Sequence, residues 1–210
     1  GAGPVIRGNR RRRERGQGLV EFSMVLPVIL MLLLGMLELG LAFDHVITLS
    51  YATREGARTG AALVNGGGAV GCGTGQSPDA AVVDPLIIAA AERVLTSPGA
   101  QVDASRISEI RIYLANAAGE ETPGRVNVWT WAPGAGPIVD GEPLDFAPSG
   151  TPGYLACSRS YSHPAQSIGV AVRYRYALQT PIGAVFGLFG GDGGGLPIAD
   201  RTVMGMNPAK

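Results

Sequence analysis

Lysine is all but missing from this 210-residue chain; Lys210 is the only one. A P-loop needs a lysine directly after its glycines to reach the phosphates, so a nucleotide site of that type is excluded. Histidine is nearly as scarce, with His45 and His163 alone, and no metal-type spacing joins either to Cys72 or Cys157, the only cysteines. A metal centre is therefore not expected. The formal net charge is zero, but that figure hides a division. Residues 1–18 hold six arginines and one glutamate, net +5, whereas residues 19–210 hold eleven basic and sixteen acidic residues, net −5. In the apolar run from Leu19 to Leu37, Glu21 is the one ionisable side chain.

That apolar run reads as a membrane anchor. About 20 apolar residues rising ~1.5 Å each span a hydrocarbon core of ~30 Å. An arginine block, Arg10 to Arg13 and Arg15, lies directly before it, and only Arg54 and Arg58 follow in the next forty residues. The positive-inside bias then places the N-terminus in the cytoplasm and everything after about Phe43 outside, in a single-pass protein of the cytoplasmic membrane. Beside a spanning helix the arginines are explained by topology and by attraction to anionic lipid, so membrane lipid is the expected partner and nucleic acid is not. A cleaved secretory signal fits less well, because the apolar run is long for one and no small-x-small site follows it.

A carboxylate near the start of a spanning helix costs roughly 2.5–3.5 kcal/mol at the membrane centre and less near the interface, so Glu21 calls for a partner or a task. One reading is that it reaches back to the headgroups near Arg13 and Arg15. Its context offers another. Arg15-Gly16-Gln17-Gly18-Leu19-Val20-Glu21-Phe22, then Val25-Leu26-Pro27-Val28, then Leu34-Gly35-Met36-Leu37-Glu38-Leu39-Gly40, and finally Ala52-Thr53-Arg54-Glu55-Gly56-Ala57-Arg58 follow one another in order. Over residues 15–58, about a fifth of the chain, this resembles the TadE-like minor pilins or pseudopilins of tight-adherence (Tad) type IV pilus systems.

The resemblance implies a prepilin-peptidase cut between Gly16 and Gln17, which would make Glu21 the fifth residue. There it would attract the new amino terminus of a neighbouring subunit, a natural relief for a buried carboxylate. Gly18 departs from the pattern, since a cut after it would leave Glu21 third. The partners implied are other pilin or pseudopilin subunits, the pilus assembly platform and a prepilin peptidase.

Beyond the anchor the helical pattern continues without proline from Phe43 to Val64. Ala52, Gly56 and Gly60 recur every four residues on one face, and because each glycine costs a helix about 1 kcal/mol relative to alanine, close approach by another backbone is expected there. Gly35 and Gly40 are further small packing positions, and Pro27, lacking an amide proton, is expected to kink the membrane part. Gly66, Gly68 and Gly71 match G-x-G-x-x-G formally but lie in a glycine-rich loop that follows no strand, so no dinucleotide site is read from them. Val82 to Leu95 reads as a second helix, closed by Ser97-Pro98-Gly99.

From Ile107 the period changes to two. Ile110, Ile112 and Leu114 form one alternation; Val126, Val128 and Thr130 another, set against Asn127, Trp129 and Trp131; and Ile168 to Leu178 the longest. Ile198 to Met206 supplies a fourth strand. Long glycine- and proline-rich loops are expected from Ala132 to Gly153 and from Gly183 to Gly195. On the external side Cys72 and Cys157 suggest a disulfide closing an 85-residue loop, with two buried free thiols as the alternative.

No activated nucleophile frames His163 and its neighbours Ser158, Ser160, Ser162 and Ser167. Asp140, Glu142 and Asp145 lack calcium-loop spacing. The chain is thus expected to be no enzyme and to carry no cofactor. The expected fold is α+β and pilin-like: a basic cytoplasmic leader (1–18), a transmembrane and stalk helix (19–64), and an external domain (65–210) with an antiparallel sheet on which the helix packs. The expected function is assembly of a Tad-type adhesive pilus; a single-pass, membrane-tethered binding or sensor module is the alternative.

Overall fold

The computed structural model describes residues 10–64, 80–161, 164–181, 183 and 195–206. The chain divides into two compact units, Gly1–Leu41 with Leu178–Gly193, and Ala42–Ala177 with Gly194–Lys210. A long apolar N-terminal helix and an antiparallel sheet make the class α+β.

The helix, α1, runs Arg10–Ala62 over 53 residues and takes Pro27 into its interior. In the first unit its side chains face outward: Leu19, Phe22, Met24, Leu32 and Met36 are all more than half exposed. Only 6% of its most apolar 18-residue window is buried. By length and composition this stretch is long and apolar enough to cross a membrane.

The second unit is built on a five-stranded antiparallel sheet. Its strands are β1 (Ile107–Ala115), β2 (Glu121–Trp131), β5 (Phe146–Ser149), β6 (Ser167–Tyr176) and β7 (Leu196–Gly205), in the order β5-β2-β1-β6-β7. Register lines up two rows of residues on one face: Trp129, Ile110, Val172 and Asp200, and next to it Asn127, Ile112, Val170 and Thr202. The second part of α1 and a second helix, α2 (Ala80–Leu95), pack against this face. A Cβ placed on Gly56 would lie 3.3 Å from Val170 and 3.6 Å from Ala91; one on Gly60 would lie 2.7 Å from Ile168 and 3.0 Å from Ile87. On the other face Arg111 binds Glu121 through two nitrogens (2.7 and 2.6 Å) and Glu109 through a third, and Arg173 also reaches Glu109.

One sequence expectation is corrected. The stretch from Ala132 to Gly153 is not one long loop. It holds a small hairpin, β3 (Ile138–Val139) and β4 (Glu142–Pro143), and then β5, which adds an edge to the main sheet. The signal was Asp140-Gly141, whose positive φ values of 53° and 90° are those of a tight hairpin turn. The sequence left open which side of β2 faces inward; Asn127 and Trp129 are buried, and Val126 and Val128 are half-buried. Pairing of Ile112 with Asn127 and Ile110 with Trp129 puts these two residues under the helices.

The second helix starts two residues before the expected Val82 and ends at Leu95, where the chain turns through Gly99 at φ 99°. The glycines at 66, 68 and 71, His163 and Ser162 lie outside the described residues, as does nearly all of the expected loop from Gly183 to Gly195.

Candidate assembly site along the long helix

Glu21 stands on the exposed flank of α1, one turn after Gln17, whose side-chain amide donates to its carboxylate at 3.2 Å. Residues four apart share a helix face, so this pair is a local consequence of helical geometry. The Gly16–Gln17 bond lies inside α1. Gly35 is half-buried, whereas Gly40 is exposed, with open space where a Cβ would stand.

Farther along, the helix changes its surroundings. Ala52, Gly56 and Gly60 are buried, and the two glycines let α1 lie close to β6 and α2 at once. Leu49, Ala52 and Ala57 are fully buried beside them. The small-residue face and Glu21 thus occupy separate stretches: the first meets the protein's own sheet, and the second is open along the apolar part.

Sequence reasoning missed three polar side chains that α1 buries. Glu38, 6% exposed, accepts the backbone N–H groups of Gln179 at 2.9 Å and Thr180 at 2.8 Å. His45 is fully buried, with ring centroids 5.6 Å from Tyr174 and 4.9 Å from Tyr176. Thr53, also fully buried, meets Asp200 and Thr202 of β7. A carboxylate closing an apolar run was the available signal for Glu38, because burial requires a partner. For Thr53 the partners lie 147 and 149 residues away, and no local pattern reveals them.

A second polar cluster ties α2 to the sheet. Arg159, 1% exposed, binds Asp84 at 2.6 Å and the Tyr154 carbonyl at 3.0 Å, and its guanidinium stacks on the Tyr154 ring at 4.7 Å. Asn127 donates to Asp84 and to Tyr154 O and accepts from Tyr154 N. Burial pushes the Tyr154 hydroxyl up to about 12. Beside this cluster is a groove of about 350 Å³ lined by Pro85, Trp129, Pro148 and Leu155, with Asp84 as the one acid in its wall. That acid is committed to Arg159 and Asn127, which makes the cluster structural in chemistry. Cys157, also in the wall, is disulfide-bonded; Cys72, the only other cysteine, lies outside the described residues. Of the three acids near the hairpin, Asp140 pairs with Arg93 and Asp145 accepts from Gly134 N at 2.8 Å. Among the described residues no group of three or more His, Cys, Asp or Glu is placed to hold a metal ion.

Residues 16–58 match the family model described as TadE-like protein. The chain carries a TadE-like segment. The match takes in about a fifth of the chain and ends before α2 and the sheet begin. It associates the protein with Tad pilus systems, whose TadE-like members are in general not enzymes. No curated protein and no solved structure matches the chain.

Proposed function

We propose that this TadE-like protein is a membrane-anchored minor pilin or pseudopilin that acts in assembly of a Tad-type adhesive pilus. The observation that carries the reading is the position of the TadE-like match, which falls on the one described helix able to cross a membrane. The helix is anchored with its basic end inside and the sheet unit outside, in a single pass. Prepilin peptidase cuts between Gly16 and Gln17. Glu21, fifth after the cut, then receives the amino terminus of a neighbouring subunit, a charge pair that the low dielectric of lipid makes strong. The residues from Ala52 to Gly60 support the sheet unit, whose surface selects the neighbouring subunit or a site on the assembly platform.

The test is the N-terminal residue and mass of the protein isolated from native membranes. A start at Gln17 is expected, and an intact leader would remove the processing step. Glu21→Ala is expected to leave the protein in the membrane and abolish its incorporation or its support of piliation. Unchanged piliation by that variant would favour a tethered binding or sensor module, for which any apolar helix suffices.

A further inference from the structure

The two edges of the main sheet differ. At one, β5 is four residues long and contains Pro148, which has no N–H to offer a further strand. At the other, β7 runs ten residues, Leu196–Gly205, and pairs with β6 from end to end with no shift of register. No bulge bends it, none of its residues is buried, and among the described residues no strand lies beyond it. In an antiparallel ladder alternate residues turn their N–H and C=O groups toward the partner, so roughly half of those on β7 face away from β6. Thr53 of α1 holds Asp200 and Thr202 from the inner face, which fixes the edge in extended form before anything meets it. Such an edge is a template for one more strand.

The side chains at its centre say which strand. On the outer face of the sheet Arg111 is held by Glu121 and Glu109, and Arg173 by Glu109. Arg201, opposite Ala171 of β6, is exposed and forms no ion pair among the described residues. It borders a depression of about 350 Å³ lined by Tyr113, Ala171, Arg173 and Ala199, which leaves room beside the guanidinium. Residues directly opposite on neighbouring strands share a face, so on an added strand a carboxylate facing Arg201 is attracted and a cation is repelled. The same rule disfavours a second copy of β7. A two-fold pairing centred on the strand sets Asp200 against Asp200 or Arg201 against Arg201, because residues of one face meet only residues of that face.

We propose that the β7 edge is a docking site for an extended segment of another protein, which adds a strand to the sheet and carries a carboxylate opposite Arg201. Backbone bonds supply the affinity, and Arg201 selects the partner. The inference stands on the sheet unit alone and is independent of the pilus role and of the membrane span.

The experiment uses the full chain in detergent and two synthetic peptides with blocked ends, Val-Thr-Val-Thr-Glu-Thr-Val-Thr-Val and its counterpart with Lys at the centre. Affinity is read from the fluorescence anisotropy of the labelled peptide, and location from hydrogen exchange of the protein. The Glu peptide is expected to bind saturably, to slow exchange in residues 196–205 and to leave the β5 edge, 146–149, unchanged. The Lys peptide should bind at least about fivefold more weakly, the difference between an attractive and a repulsive cross-strand pair. Arg201→Glu should reverse that order, and Arg201→Gln should abolish the difference while both peptides still bind. Absence of binding by the Glu peptide, or protection that falls outside 196–205, would overturn the proposal. So would an unchanged order in Arg201→Glu. Slowed exchange in 196–205 that appears without peptide as protein concentration rises would overturn it too, and assign the edge to a second copy.

Discussion

Thr53 of α1 donates its hydroxyl hydrogen to Asp200 of β7 at 2.5 Å, across 147 residues of sequence. With that hydrogen committed, the 3.0 Å contact between Thr53 and Thr202 is a bond donated by Thr202. The TadE-like segment is thereby bonded to the last strand of a sheet that the segment itself does not include. Thr53→Val keeps the shape and removes the donor to a half-buried carboxylate. A loss of about 1–3 kcal/mol is expected, read as a lower denaturant midpoint of the detergent-solubilised protein. Thr53→Ser, which keeps the hydroxyl, should retain most of the stability.

Gly60 and Gly40 occupy the same helix and should respond oppositely to alanine. At Gly60 the new methyl would press on the Cδ1 atoms of Ile168 and Ile87, and overpacking of this kind costs about 1–3 kcal/mol. Because both obstacles are side-chain ends, Ile168→Val in the same chain should restore part of the loss. At Gly40 nothing lies within 4 Å, and Gly40→Ala should raise helix stability by about 0.8–1 kcal/mol. Paired thermal melts of the three variants check both signs.

Tyr154 sets an upper pH limit on the sheet unit. Its hydroxyl titrates at about 12 in the folded protein against 10.0 for the free side chain, because burial disfavours the phenolate. The group is an acid whose folded pKa is raised, so the unfolded chain loses its proton first. Its contribution is complete below pH 10, falls as pH rises from 10 to 12, and amounts to about 3 kcal/mol lost beyond that. Denaturation followed between pH 9 and 12 should show this decline, and Tyr154→Phe should flatten it. A decline that is unchanged in Tyr154→Phe would assign it to other groups.

Arg159 is a buried cation whose removal would strand its partner. Arg159→Ala would leave Asp84 facing Asn127 without its cation and would empty the space over the Tyr154 ring. A loss of about 3–5 kcal/mol is expected from breaking one side of a buried pair. Replacing Asp84 and Arg159 together by apolar residues of similar volume should cost less than the single change, a non-additivity that a double-mutant cycle measures.

The hairpin shows why part of the fold went unread. Asp140-Gly141 is a strong local turn signal, but the strands it joins are two residues each, too short for any alternation to register. The buried side of β2 was hidden for another reason. Alternation alone leaves either side free to face inward, and only pairing with Ile112 and Ile110 tells that Asn127 and Trp129 do, Asn127 being tolerated there because Asp84 and Tyr154 satisfy it.

By itself the sequence determined the apolar span, the abrupt change of charge around it, the order of motifs from Arg15 to Arg58 that marks the TadE-like segment, and the strands with long alternation. Each of these is a property of near neighbours: length against bilayer thickness, charge along the chain, period of three to four or of two. The tertiary structure alone decided what Glu38, Thr53 and Arg159 do. Their partners come from residues distant in sequence or from turns with no pattern, and a buried polar group acquires its role only when folding brings a donor or a counter-charge to it.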